Sequence, residues 1–171
     1  KDVQEEVALR SRQENAAKHF FSKLPFYVSL ISKFPFVKGV AISGSLSKGV
    51  IHEEGDLDYF IITKKDRLWM ARVALVFFKK VFLFNSRKYF CVNYFVGEDN
   101  LAIPDENIFT ATEIEYLIPV FNPGMFAEFN KANSWIKKYY GHFEHPIQLD
   151  SKPNSWNYFK QFVEWCFSNK M

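Results

Sequence analysis

The chain has 171 residues, 48% of them hydrophobic and 24% charged, with a net charge of +3 and a pI of about 8.8. That is one domain's worth of ordinary globular chain, too weakly basic to argue for a nucleic-acid partner on charge alone. Its two cysteines, Cys91 and Cys166, lack C-x-x-C spacing, which excludes a zinc or redox motif of that kind and reads as buried free thiols in a cytoplasmic protein.

Residues 2–21 carry apolar positions at helical spacing, Val3, Val7, Ala16, Ala17, Phe20 and Phe21, with Asp2 as the expected cap. A second helix is expected over residues 26–33, with Pro25 near its first turn and Pro35 after its end. Residues 36–42 are apolar and β-branched and predict a strand. Residues 44–50 form a turn with a short helix, and residues 57–63 a buried strand. Residues 66–84 give the strongest helix signal, with Asp66 as N-cap. This helix is apolar nearly all round, so it is expected to be covered. It is also broken by Arg72, Lys79 and Lys80 and too short to span a bilayer, so no membrane partner is expected.

Residues 88–96 predict a further strand, and residues 101–103 a short edge strand. A helix capped at Thr110 or Thr112, with Glu113 at capping-box spacing, runs to about residue 118 and is broken by Pro119 and Pro123. Residues 125–140 read as one or two helices, 141–154 as loop and 155–169 as a final amphipathic helix. Twenty phenylalanines read as a Phe-rich core. The first residue is Lys1 rather than Met, so the chain is expected to be trimmed. No targeting segment is visible in it.

Chemistry concentrates in residues 40–63, V-A-I-S-G-S-L-S-K-G-V-I-H-E-E-G-D-L-D-Y-F-I-I-T. An apolar strand ends at Gly44 and Ser45, Lys48 and Gly49 follow, and Asp56 and Asp58 open the next strand. Alternation puts the two aspartates on one face, with roughly 6–7 Å between their Cα atoms. Two carboxylates at that spacing suit Mg²⁺ or Mn²⁺, which take oxygen ligands. A glycine lets the backbone approach a phosphate, Ser45 can donate to it, and Lys48 adds a positive charge. The segment is neither a P-loop, because Lys48 precedes Gly49, nor a dinucleotide fingerprint.

Gly44-Ser45-x-x-Lys48-Gly49 followed by Asp56-x-Asp58 resembles the nucleotidyltransferase superfamily with the polymerase-beta-like fold, nearest the minimal bacterial type with its G-S-x-x-R-G…D-x-D pattern. The resemblance covers roughly residues 36–96. It implies that Gly44 and Ser45 bind a triphosphate, with Lys48 where the family often has arginine. It implies that Asp56 and Asp58 bind metal and that a third acid sits on a later strand. The corresponding position here holds Asn93, expected to share a face with Cys91 and Phe95. An amide oxygen can ligate a metal but brings no charge and is no base. Glu98 or Asp99 at the strand end, and Glu113 or Glu115 from the next helix, stay open as substitutes. His52 reads as an exposed loop residue. His142, Glu144 and His145 lack a third metal partner.

The expected architecture is α/β, a small mixed sheet flanked by helices over residues 1–108, with a dependent helical extension over residues 109–171. The expected activity is Mg²⁺-dependent (or Mn²⁺-dependent) transfer of a nucleoside monophosphate from an NTP, ATP by default, to an unknown acceptor, small or macromolecular. Two further readings stay open. One is a nucleotide-binding or regulatory module that has lost turnover through Asn93. The other is an RNA-binding domain using the aromatics and scattered lysines.

Overall fold

The computed structural model of the chain describes residues 3–52, 54–86, 88–141, 160–161 and 164–166. Asp2, His142, Glu144 and His145, most of the expected loop 141–154 and much of the expected helix 155–169 lie outside them; the described residues of that last helix are helical.

Helix α1 (Val3–Ser32) leads to β1 (Val37–Ile42), a single turn α2 (Gly44–Ser47), β2 (Asp58–Thr63), α3 (Leu68–Phe82), β3 (Cys91–Gly97), α4 (Ile108–Glu115), β4 (Ile118–Phe121), α5 (Pro123–Ala132) and a 3-10 turn (Ser134–Lys138). The four strands form one sheet in the order β3-β2-β1-β4. β1 runs antiparallel to β2 and β4, and β2 runs parallel to β3 through α3. The mixed α/β architecture is as expected.

The sheet separates two apolar layers. Val40, Ile42, Tyr59, Ile61, Val92 and Phe95 pack with Phe20, Leu24 and Ile31 of α1 and Leu75 of α3. Ala41, Phe60, Ile62 and Val96 pack on the other side with Ala111 and Ile114 of α4 and Phe126 and Phe129 of α5. Alternation along β1 and β2 sends neighbours to opposite layers, so both faces are buried and the strands read as continuous apolar runs.

Several local expectations are corrected. α1 runs unbroken through Pro25, which has no N–H to give to the preceding turn and crowds the carbonyl four residues before it. Val3 and Val7 lie exposed instead of packing. Asp66 takes a left-handed φ of 57° and does not cap α3, whose N-cap is Arg67. α4 starts earlier than expected, because Asn107 Oδ1 accepts from the Thr110 amide at 3.0 Å; the Thr110–Glu113 capping box is not formed. Residues 101–103 are not a strand. The supposed helical extension instead supplies β4. Pro119 does break the helix, yet it sits in an edge strand, where a residue without an N–H is tolerated.

α3 differs most from expectation. Only Ala71 and Leu75 are buried in it, while Trp69, Val73, Phe77, Val81 and Phe82 face outward.

Two polar clamps tie the later chain to the sheet. Lys160 donates to the carbonyls of Ser32 and Val37, and Glu164 accepts from the amide of Phe36, so the turn into β1 is satisfied from the C-terminal helix. Asn133, fully buried, accepts from the Ile103 amide at 2.8 Å and donates to the carbonyls of Leu101 and Phe129. Those bonds explain why residues 101–103 can be ordered without joining a strand. Asn133→Ala strands the Ile103 amide and the Leu101 carbonyl, while the Phe129 carbonyl keeps the backbone amide of residue 133. It is expected to cost about 2–4 kcal/mol in chemical denaturation with an unchanged m-value.

Candidate functional site

Ser43 ends β1 and donates its amide to the carbonyl of Asp58 at 3.0 Å, so the end of one strand is locked to the start of the next. Gly44 then turns the chain with φ of +70°. A Cβ there would lie 2.6 Å from Asp58 Oδ2, so the carboxylate rests against a position only glycine can occupy. The α2 turn closes with Ser47 Oγ donating to the Gly44 carbonyl at 2.8 Å and with Gly49 at φ of +77°. Ser45 is exposed on it and Lys48 half-buried.

Asp56 precedes β2 by two residues, separated from Asp58 by the fully buried Leu57. Leu57 donates to the Lys88 carbonyl and accepts from the Cys91 amide, which anchors the pair of aspartates to the start of β3. Burial raises the Asp58 carboxyl above the ordinary aspartate range. The thiol of Cys91 bonds to it and partly offsets this, while the charges of Asp56 and Glu113 add to it. Cys91 is itself pushed up to about 12 by burial, by its bond to Asp58 and by the two aspartates' charges, against a small opposite effect of Lys79. Its thiol therefore stays protonated, a donor to Asp58 and not a nucleophile.

The strand register decides what stands beside the aspartates. Asp58 pairs with Cys91, Tyr59 with Val92 and Phe60 with Tyr94, so Asn93 is the extra residue of a bulge. The bulge turns Phe95 into the α1–α3 layer, so it does not share a face with Cys91, contrary to the alternation expected from sequence. It leaves Tyr94 stacked on Phe60 at 5.3 Å and Asn93 exposed. Glu98 and Asp99 follow the far end of β3, where Gly97 pairs with Thr63, roughly 20 Å along the strand from Cys91. Glu98 there accepts from the Lys65 amide.

Glu113 comes to the cleft instead. Free of any capping box, its Oε1 accepts from Lys48 Nζ at 2.5 Å. With Asn93, Ser43, Phe60, Tyr94, Phe109 and Thr110 it lines a cavity of about 300 Å³ on the α4 side of the sheet. Gly44, Ser45, Lys48, Asp56, Asp58 and Asn93 are thus gathered at one end of the sheet, and Glu113 joins them. The spacing Thr110-x-x-Glu113 drew attention to Glu113 for a different reason, so sequence alone left it one of four candidates.

The donors suit a hard divalent cation: two carboxylates one residue apart, one pressed on a glycine, half-buried and crowded by like charge. Among the described residues no three His, Cys, Asp or Glu side chains form a ready metal-holding group. Asp56 and Asp58 are two such side chains, and Glu113 is held by Lys48.

No family model matches the chain, and no curated protein or solved structure matches it either. Fold and site define a mixed α/β protein with Asp56 and Asp58 at one end of its sheet and a cavity on the α4 side whose lining carboxylates are Asp105 and Glu113.

A raised carboxyl binds more protons folded than unfolded between its two pKa values, so stability falls as pH rises through that window. Asp58→Asn removes this cost. It is expected to raise Tm at neutral pH, with the gain vanishing below the ordinary aspartate range. Gly44→Ala is expected to destabilise by about 1–3 kcal/mol in the same melts, from the left-handed φ and the displaced carboxylate.

Proposed function

We propose that the chain is a divalent-metal-dependent nucleotidyltransferase, with the polymerase-beta-like fold that its motif resembles. The observation that carries this reading is the seating of the Asp58 carboxylate on Gly44, beside Asp56 and across from Glu113. A strand–turn–strand that seats a carboxylate against the bare backbone of a glycine fixes a metal-capable oxygen at the turn that carries Ser45 and Lys48. Carboxylates crowded by like charge favour a divalent cation between them, and a metal–nucleotide would bring one.

Asp56 and Asp58 would hold Mg²⁺ or Mn²⁺, which would neutralise the triphosphate and the departing pyrophosphate. Gly44 lets the phosphates approach the backbone, and the Ser45 hydroxyl donates to them. Lys48 exchanges its bond to Glu113 for the phosphates. Glu113, so released, takes the proton of the acceptor hydroxyl at its carboxylate. The acceptor oxygen bonds to the α-phosphorus, the bond from that phosphorus to the β,γ-pyrophosphate breaks, and pyrophosphate leaves. The cavity between Tyr94, Phe109 and Asn93 offers aromatic and amide surface to the base or the acceptor, with ATP as the nucleotide to try first.

A second reading has its own observation. β3 offers Asp58 a protonated thiol and a bulged amide but no carboxylate. That arrangement also suits a module that binds a nucleotide without turning it over.

Mg²⁺ with ATP is expected to raise Tm, by an amount equivalent to about 2.7 kcal/mol at a hundredfold excess over Kd. Asp56→Asn and Asp58→Asn should abolish the shift. Pyrophosphate release in the presence of candidate acceptors separates the two readings. The transferase releases it, and Glu113→Gln slows release by about 10²–10⁴-fold while keeping the shift. The binding module shows the shift alone. No shift with any NTP and either metal contradicts both.

A further inference from the structure

The outward side of α3 has no role in the cleft, and its chemistry is distinctive. Trp69, Val73, Phe77, Val81 and Phe84 follow one another at helical spacing, and Phe84, just past the helix end, is 92% exposed. Trp69 and Phe77 are 72% and 62% exposed. The opposite side of the same helix is spent on the core through Ala71, Leu75 and Phe78.

Charge tells what such a stripe would meet. Residues 64–88 hold eight of the chain's 22 basic residues and one of its 19 acidic ones, so the rest of the chain is net acidic. α3 itself contains Arg72, Lys79 and Lys80 and no acid. Lys65, Arg72, Lys80 and Lys88 are exposed along it. Arg72 and Lys80 interleave with the apolar side chains, and the Arg72 guanidinium lies over the rings of Trp69 and Phe95 at 5.8 and 5.3 Å. A bulky apolar stripe that starts at a tryptophan, on a helix whose own charged residues are all basic, has the make-up of a helix lying in a lipid interface, although Asp66 and Asp99 lie beside Trp69 at its start. Among the described residues no helix is long and apolar enough to cross a membrane, so the contact would be made in the plane of the surface.

We propose that α3 docks on an anionic lipid surface, its apolar stripe entering the headgroup boundary and its basic side chains pairing with lipid phosphates and carboxylates. The expectation of no membrane partner rested on the helix being too short and too charged to span a bilayer, which does not bear on a helix lying in the plane of the surface. The cavity beside Asn93 and Glu113 opens on the other side of the sheet, so a chain held by α3 keeps its cleft toward water. The inference stands apart from the nucleotide reading.

Flotation of the 171-residue chain with vesicles tests it. Binding is expected to vesicles containing phosphatidylserine, to be weak on phosphatidylcholine alone, and to fall as salt is raised. Trp69→Ser with Phe77→Ser should lose more than roughly tenfold in partition with Tm unchanged, because both side chains are exposed. Arg72→Gln with Lys80→Gln should lose roughly tenfold on the anionic vesicles only. Absence of binding, equal binding to neutral vesicles, or variants that float like the parent would overturn the proposal. A dimer in gel filtration that the serine variant breaks, without flotation, would overturn it too and assign the stripe to a second copy of the chain.

Discussion

The carboxylate of Asp58 lies on the bare Cα of Gly44, and much of the molecule is arranged to hold it there. The backbone bond from Ser43 to Asp58 fixes the two strand ends, and the β1–β2 ladder carries that alignment through the sheet. Burial and two like charges raise the carboxyl's proton affinity, so the contact is kept at an electrostatic cost. Such a cost is characteristic of groups positioned for a ligand. A cation between Asp56 and Asp58 would reverse its sign, because the same crowding then becomes ligand charge.

The topology explains how residues far apart in sequence meet. The parallel β2–β3 pair brings Cys91 to Asp58, and α3, crossing between them, ends near Lys79, which bears on Cys91. The antiparallel β4 forces the preceding α4 to pack across the opposite layer, which carries Glu113 to Lys48. The bulge at Asn93 settles which face each residue of β3 serves. One extra residue puts Tyr94 on the cavity side with Phe60 and Phe95 on the other, the reverse of unbroken alternation from Cys91. Cleft and α3 stripe thus lie on opposite sides of one sheet, with different charge.

Much of the cleft was legible in the sequence because its determinants are local. Gly44, Asp56 and Asp58 lie within fifteen residues, and the short connection between two adjacent strands is enough to group them, although Asp56 itself precedes β2. The strands β1, β2 and β3 were legible for the same reason. What was not legible depends on partners distant in sequence. β4 was hidden by Pro119, which argues against a central strand but not against an edge. The bulge at Asn93 leaves no signature in a run of apolar and aromatic residues, so the face of Phe95 came out reversed. Glu113 matched a capping box that Asn107 made unnecessary. α3 was read as buried because it is apolar all round, yet a helix at the outside of a layer has only one side to bury, and composition does not say which elements will cover the other.

The central claim is that Asp56 and Asp58 form a divalent-cation site on the Gly44 turn. Substoichiometric Mn²⁺ added to isotopically labelled chain tests it most directly, because paramagnetic broadening falls steeply with distance. The account predicts that amide signals of Gly44, Ser45, Leu57, Asp58 and Cys91 vanish first, that Glu113 follows, and that residues of α1 and of the outer side of α3 keep their intensity. Broadening centred elsewhere, or no selective loss, would contradict it.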